Sequence, residues 1–457
     1  MGSTNGVGMS ELALPARASA RVDLTRAEVF NASIRDRSAL IGVVGLGYAG
    51  LPLAVGFAEA GFEVGGVDTN SRRVTAVNEG HSYLPDVSSE SLQQLPDLTA
   101  AAAYGRVHDM TALTICVPTP LSKTRTPDLS FVVAAAEKVA AHIRPGALVV
   151  LQSTTVPETT LQVLVPIFER ATGGRVGVDF YLGYAPERVD PANRSGWTLR
   201  TTPKIVSGVT DECLRRTKLL YETVVDTVVE ASSPTVAEMV KLYENTFRQV
   251  NIALANELAL VCGRLGISAW EVIDAAATKP FGFMAHYPGP GLGGDCIPVV
   301  PHFISHRLKE YGYQTRMIEV AHEINTGMPE HVVGRVAEAL NDRGRAIQGA
   351  RILLLGVAYK PNVSDLRESP AMRIFVELAA RGGDVRYCDP HVSSVGVGGR
   401  IYESEPWAAA AVADVDCVVI LTHHDEFLDQ PLWRDADAVV VDTRNVAGTV
   451  SAGVISI

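Results

Sequence analysis

The residues best placed to do chemistry lie in three short stretches. Cys296 follows closely spaced glycines in GLGGDCIP. Peptide N–H donors or a nearby lysine lower the pKa of a thiol and make it a usable nucleophile. Lys241 and Asn245 are four residues apart in EMVKLYENTF, so both side chains leave the same helix face. Glu187 and Arg188 come just after a strand in YAPERVDP, where α/β enzymes bind their ligands.

Each of these residues also has a structural interpretation. Lys241 could be a solvated lysine, and Cys296 could fill a buried gap, as cysteines commonly do. Glu187 could pair locally with Arg188.

The combination of a thiol, an ammonium beside an amide, and a carboxylate favours a dehydrogenase with a nucleophilic thiol. Oxidation of an alcohol gives an aldehyde, the thiolate adds to it as a thiohemiacetal, and a second oxidation gives a thioester that water hydrolyses to an acid.

A dinucleotide-binding turn lies near the start of the ordered sequence. Gly45, Gly47 and Gly50 have GxGxxG spacing in GLGYAG, between an apolar strand and a helix, and the next strand ends on Asp68. The glycines permit a tight turn, close approach of a pyrophosphate and close helix packing. The candidate cofactor-binding residues of this βαβ unit are Gly45, Gly47, Tyr48, Ala49, Gly50, Asp68 and Arg73.

The charge at the end of the second strand predicts which dinucleotide is bound. A carboxylate at Asp68 can bind ribose hydroxyls and repels a 2′-phosphate, so it favours NAD over NADP. Arg72 and Arg73 lie close enough to weaken that preference.

Strand and helix patterns alternate on both sides of one long helix, which begins at Ser233 and Pro234 and continues without a breaker to Gly263. The pattern predicts an α/β fold of two Rossmann-like, doubly wound domains joined by a long central helix. The predicted parts are an N-terminal extension (1–38), an NAD-binding Rossmann domain (39–230), a central helical dimerisation region with the cysteine loop (231–330) and a Rossmann-like domain (331–457), for which the family resemblance described below implies nucleotide-sugar binding.

Composition narrows the function further. The 457-residue chain has a formal net charge of −11, which argues against nucleic-acid binding because no basic face is available. The six cysteines have no metal-ligand spacing, so we expect neither a metal site nor a disulfide framework. We expect a cytoplasmic protein, since the chain contains no apolar run that could span a membrane and no signal-peptide pattern.

The order of the motifs resembles that of the nucleoside-diphosphate-sugar 6-dehydrogenases, from about residue 39 to the C-terminus. The matching segments are GLGYAGLPLA, VPTP, STTVP, YAPERVDP, KLYENTFRQVNIALANELA, ATKPFGFMAHYPGPGLGGDCIP and GVAYKPNVSDLRESP. The sequences of these segments are most similar to those of the N-acetylhexosamine branch. A UDP- or dTDP-glucose substrate, as in dehydrogenases of the calicheamicin type, stays open.

The resemblance implies a homodimer that binds NAD and a nucleoside-diphosphate hexose, and it implies roles for individual residues. Cys296 would be the nucleophile, Lys241 and Asn245 would stabilise oxyanions, and Glu187 would be the general base for thioester hydrolysis. Further implied contacts are Thr119, Pro120 and Thr155 near the nicotinamide, Arg367 at the dinucleotide, and Lys360 at the substrate. Arg188, Gly293 and Gly294 are further candidates for the substrate site.

Two residues depart from the family pattern. Asp295 stands where the N-acetylhexosamine branch has histidine, and its charge should raise the pKa of the adjacent thiol. Val300 stands where the family has an aspartate four residues after the cysteine. The alternatives are therefore a two-electron dehydrogenase, a sugar 2-epimerase, or a weakly active nucleotide-sugar-binding protein.

Overall fold

The computed structural model describes residues 24–84, 86–122, 124–190, 196–435, 437–447 and 454–457. They form two compact units. Unit one contains the described residues up to 118 together with 130–153 and 158–238, and unit two contains 119–129, 154–157 and the residues from 239 onward. The sequence does not indicate that the two short loops, 119–129 and 154–157, belong to unit two. The predicted division into an N-terminal extension and three further parts stays a prediction.

Unit one is built on an eight-stranded sheet with the order β3-β2-β1-β4-β5-β6-β7-β8. All neighbouring strands are parallel except β6 and β7. The strands are β1 (Leu40–Val44), β2 (Glu63–Val67), β3 (Leu98–Ala101), β4 (Ala112–Ile115), β5 (Leu148–Leu151), β6 (Tyr181–Tyr184), β7 (Lys204–Gly208) and β8 (Val228–Glu230). The central strands β1, β4, β5 and β6 are buried throughout, as is typical of parallel sheets covered on both faces. The first six strands have the doubly wound order that the sequence pattern predicts.

Unit one also contains several helices. They are α1 (Leu24–Arg35), α2 (Gly50–Glu59), α3 (Ser71–Asn78), α4 (Ser89–Gln93), α5 (Ser130–Ala140), α6 (Val165–Thr172) and α7 (Asp211–Tyr221). Helix α1 lies within the predicted N-terminal extension, yet Phe30 and Ile34 are buried in the core of unit one. Their spacing of four residues places both on the face that packs inward. The extension before residue 24 lies outside the described residues.

Unit two has a five-stranded parallel sheet with the order β10-β9-β13-β14-β15 and an antiparallel hairpin. Its strands are β9 (Arg351–Leu355), β10 (Asp384–Cys388), hairpin strands β11 (Ser394–Val397) and β12 (Arg400–Glu403), then β13 (Cys417–Ile420), β14 (Val439–Asp442) and β15 (Val454–Ser456). The helices that follow α7 are α8 (Pro234–Leu265), α9 (Ala269–Ala277), α10 (Pro301–Lys309), α11 (Arg316–Asn341), α12 (Pro370–Ala380), α13 (Ala409–Ala413) and α14 (Asp425–Asp429). The boundary between the units falls inside α8, after Glu238.

Helix α8 is the long central helix expected from the sequence, with 32 residues. No helix in the described part of the chain is both long and apolar enough to cross a bilayer.

Candidate active site

The glycine turn between β1 and α2 has the geometry that a dinucleotide requires. Gly45 has a φ of 91°, and a Cβ there would lie 2.6 Å from the Cys116 carbonyl oxygen. A Cβ on Gly50 would lie 1.8 Å from the Gly45 carbonyl oxygen, so neither position tolerates a side chain. At Gly47 a Cβ would meet nothing closer than Arg73, at 3.8 Å. The Gly47 backbone therefore faces open space, which a pyrophosphate could approach.

The start of α2 is also suited to an anion. Its N-cap residue, Ala49, has no side chain that could satisfy the first backbone N–H groups. Uncapped N–H groups and the helix dipole favour a bound phosphate. The turn thus fits the pyrophosphate of NAD.

Asp68 follows β2 directly and is 7% exposed. One carboxylate oxygen accepts a hydrogen bond from the Leu46 N–H at 2.8 Å and lies 3.3 Å from Arg73 Nη1. The other oxygen accepts from the Asn70 N–H at 2.8 Å. Asp68 therefore fixes the turn, and Arg73 partly offsets its charge, as the sequence suggested.

Thr119 and Thr155 lie in the two short loops that belong to unit two. Thr119 Oγ1 donates a hydrogen bond to the Thr154 carbonyl oxygen at 2.7 Å, which ties these loops together. Thr155 is fully buried, and its hydroxyl has no hydrogen-bond partner among the described residues.

Glu187 is the centre of a buried network in unit one. Its Oε2 lies 3.0 Å from Lys204 Nζ and accepts a hydrogen bond from Gln152 Nε2, also at 3.0 Å. Its Oε1 accepts from the N–H groups of Arg188 and Val189 at 2.8 and 2.9 Å. Burial would raise the pKa of Glu187, but the Lys204 ammonium and the N–H donors outweigh burial and hold it below its usual value. The carboxylate stays ionised at neutral pH.

Glu187 forms an ion pair with Lys204, and it also accepts the backbone hydrogen bond of Arg188, the residue that the sequence suggested as its local partner. Arg188 donates from Nη1 to the Pro203 carbonyl oxygen at 2.6 Å. Sequence analysis missed Lys204, which is 2% exposed. The available signal was a lysine at the start of an otherwise apolar strand, in PKIVSG.

Cys296 is exposed, whereas the other cysteines are buried: Cys116, Cys213, Cys262, Cys388 and Cys417. Its thiol donates to Asp295 Oδ1 at 3.4 Å, and Asp295 also forms an ion pair with Arg367. Packing around the sulfur and the Asp295 charge raise the pKa of the Cys296 thiol to about 11, although Lys241 and Arg367 act in the opposite direction. The thiol is therefore protonated at neutral pH and must lose its proton during a reaction.

Lys241 and Asn245 lie on one face of α8 and are both buried, with exposures of 9% and 8%. The described residues supply no hydrogen bond or ion pair to the Lys241 ammonium, and Asn245 Nδ2 is buried without a partner. Burying unpaired donors is costly, so such groups typically await a ligand. The positive charge of Lys241 acts on the Cys296 thiol, so both donors belong to the same part of unit two.

Val300 is 3% exposed and belongs to an apolar cluster with Leu242 and Phe303. Its N–H donates to the Cys296 carbonyl oxygen at 2.8 Å. The position at which the resemblance implies a carboxylate is therefore apolar here. Among the described residues, Asp295 is the carboxylate that contacts the thiol.

The glycines before Cys296 are required by packing. A Cβ on Gly293 would lie 2.5 Å from Tyr359 Cβ, and Gly294 has a φ of 83°. The sequence suggested that peptide N–H groups of these glycines point at the thiol. The Gly294 N–H instead donates to the Arg367 carbonyl oxygen at 2.8 Å. The segment that holds Tyr359, Lys360 and Arg367 therefore packs directly on the cysteine loop.

Three domain models of the UDP-glucose/GDP-mannose dehydrogenase family match the chain. They are the NAD binding domain (residues 39–225), the central domain (235–327) and the UDP binding domain (353–449). The chain belongs to the UDP-glucose/GDP-mannose dehydrogenase family. It is therefore an NAD-dependent nucleotide-sugar dehydrogenase, which confirms the predicted fold class, cofactor and enzyme class.

Relatives within this family are similar over most of their length. The UDP-N-acetyl-D-mannosamine dehydrogenase of Pyrococcus horikoshii is 37% identical over 89% of this chain and 95% of its own. The UDP-N-acetyl-D-glucosamine 6-dehydrogenase of Pseudomonas aeruginosa is 34% identical over 85% of this chain and 91% of its own. The solved structure of the P. horikoshii enzyme has a TM-score of 0.82 at 35% identity, covering 91% of this chain and 98% of that one.

One further side-chain cluster in unit two has the composition of a metal site, but its hydrogen bonds argue against that role. His391, His424 and Glu426 offer ligand atoms within 4.8 Å of one another. Both nitrogens of His424 are already engaged, one with Asp389 at 3.1 Å and the other with the Asn362 N–H at 2.9 Å. The family site described above involves none of these residues.

Proposed function

We propose that this dehydrogenase oxidises the C6 alcohol of a UDP-N-acetylhexosamine to the uronic acid, consuming two NAD. The names of the relatives from P. horikoshii and P. aeruginosa support the N-acetylated substrate. The observation that carries the four-electron reaction is the exposed thiol of Cys296, on which the buried ammonium of Lys241, without a partner among the described residues, acts.

NAD, when bound, accepts a hydride in each oxidation. The chain's own part begins with the aldehyde left by the first oxidation. The sulfur of Cys296 bonds to C6, the carbonyl π bond breaks, and its electron pair moves to the oxygen. The thiol proton leaves at the same time, and the Asp295 carboxylate, 3.4 Å from the donor sulfur, can accept it.

Lys241 and Asn245 stabilise the negative charge that develops on the C6 oxygen. A preorganised donor is worth more in a water-poor site than in solution, because it does not have to reorganise as the charge appears. The same donors serve the oxyanion formed when water attacks the thioester. Water then replaces sulfur on C6, and the thiol is regenerated.

Glu187 is proposed as the base that takes the proton from that water. Its ionised state suits a base, and its fixed hydrogen bonds to Lys204 and Gln152 hold the carboxylate in one orientation.

The remaining site residues bind the two ligands in this proposal. NAD is held by Gly45, Gly47, Tyr48, Ala49, Gly50, Asp68 and Arg73, with Thr119, Pro120 and Thr155 near the nicotinamide and Arg367 at the dinucleotide. The nucleotide sugar is held by Arg188, Gly293, Gly294 and Lys360.

The experiment compares UDP-GlcNAc, UDP-ManNAc, UDP-glucose and dTDP-glucose at matched NAD. We expect kcat/KM to be at least about tenfold higher for an N-acetylated sugar, because an unfilled acetamide pocket loses several contacts. A higher kcat/KM for UDP-glucose or dTDP-glucose would contradict the proposed N-acetylated substrate. A chain that binds nucleotide sugars without reducing NAD would instead be a binding protein, the candidate that Val300 favours.

We also propose a homodimer in which α8 meets its copy. The apolar residues Phe247, Leu254 and Val261 are exposed at intervals of seven residues on α8. A long apolar stripe of this kind is typical of a helix seam.

Leu254→Asp should therefore convert the dimer into a monomer, because it places a charge in that stripe. Light scattering should give twice 48.8 kDa for the unchanged protein and about 48.8 kDa for the variant. Arg264→Asp, at an exposed polar position of the same helix, is the control. A monomeric unchanged protein, or an unaffected variant, would contradict this interface.

A further inference from the structure

Unit two contains a polar cavity of about 350 Å³ that the proposed catalytic machinery does not use. It is lined by Thr124 and Arg125 of a short loop, by His302 and Lys309 of α10, and by Glu319 of α11. Because one water occupies about 30 Å³ in the liquid, the cavity has room for a small hydrated ion.

The charges around the cavity are not neutralised by one another. Among the described residues, the side chains of Arg125 and Lys309 form no ion pair, and neither does Glu319. Arg125 also has a φ of 58°, unusual for a residue with a Cβ. Two cations without an ion pair among the described residues, together with one carboxylate, leave a net positive charge at this cavity.

The histidines beside the cavity supply neutral hydrogen-bonding groups. His302 Nε2 lies 3.3 Å from His322 Nδ1, and the buried Nε2 of His322 has no partner among the described residues. Burial and the Arg125 charge lower the pKa of both rings, that of His322 to about 4. The other titratable or charged side chains that line the cavity beside these rings are His306 and Lys309 on α10 and Glu319 on α11. The rings are therefore uncharged at neutral pH, and the net charge comes from Arg125 and Lys309.

We propose that this cavity binds a phosphate-sized tetrahedral oxyanion between Arg125 and Lys309. A guanidinium and an ammonium converging on one cavity are the groups that recognise such an anion. The hydroxyls of Thr124 and Ser305, which also line the cavity, can donate to its remaining oxygens.

The site connects two segments next to the catalytic residues. The loop that carries Arg125 begins at Thr119, and α10 begins one residue after Val300. An anion held by both would fix this loop against α10. This binding does not depend on the proposed substrate or on the thiol chemistry.

Calorimetric titration of the full chain with inorganic phosphate, at constant ionic strength in chloride, tests the site. Arg125→Gln and Lys309→Gln should each weaken binding, by about tenfold for the arginine, because a charge-assisted hydrogen bond is lost. Glu319→Gln should strengthen binding roughly threefold by removing a like charge. Arg316→Gln, which removes an exposed cation from the start of α11, should leave the affinity unchanged.

Phosphate can also enter the cofactor and nucleotide sites, and these variants separate the possibilities. Binding that is unchanged in Arg125→Gln and Lys309→Gln lies elsewhere and overturns the proposal, as does no binding at all. Weaker phosphate binding in Glu319→Gln would also overturn the proposal. If the Glu319 carboxylate repels the anion, its removal should strengthen binding, whereas a structural role for Glu319 predicts weaker binding.

Discussion

Cys296→Ala should lower the rate of uronic acid formation by at least about a thousandfold, because no nucleophile is left to hold the aldehyde as a tetrahedral adduct. The cysteine is exposed, and the hydrogen bond that its side chain makes with the described residues is the one to Asp295, so the fold should survive the change. Product analysis by mass spectrometry should find aldehyde or unreacted nucleotide sugar in place of the acid.

The matched control is Cys262→Ala, which removes a buried cysteine in α8. That variant should form the uronic acid, apart from a modest loss of stability. If Cys296→Ala formed uronic acid at the normal rate, a different group would be the nucleophile.

Lys241→Met should reduce kcat by about a hundred- to a thousandfold, the usual effect of removing one oxyanion donor. Methionine has a similar volume, and Lys241 is buried without an ion pair in the described part of the chain, so thermal stability should be unchanged or higher. The substitution also removes a charge that lowers the pKa of the Cys296 thiol. Alkylation of that thiol by iodoacetamide at a fixed pH should therefore become slower.

Lys138→Met, at an exposed position of α5, is the control and should leave both kcat and alkylation unchanged. A Lys241→Met variant with lower stability and unaltered kcat would assign the lysine a structural role.

The local parts of this account could be predicted from the sequence. The βαβ unit around Gly45, Gly47 and Asp68 is encoded within about thirty residues, since glycine spacing and apolar strands follow one another directly. The long helix α8 was also evident, because the chain has no breaker between Pro234 and Gly263.

The contacts that determine the chemistry of the site are long-range and could not be predicted in this way. Arg367 is 72 residues from Asp295, and Lys204 is 17 residues from Glu187. Each pairing depends on which strand ends and loops the fold brings together. The packing of Gly293 against Tyr359 likewise became visible only in three dimensions.

Asp295 and Val300 distinguish this chain from the pattern of its family. Asp295 adds a charge beside the thiol and raises its pKa, and Val300 places an apolar side chain where the resemblance implies a carboxylate. On the proposed mechanism, we expect both changes to affect the second oxidation.

The most direct test of the central claim is therefore the number of NADH molecules formed for each nucleotide sugar consumed by the unchanged protein. We expect a ratio of about two with a uronic acid as product, because a thioester on Cys296 allows a second oxidation. A ratio of about one with a free aldehyde would contradict it.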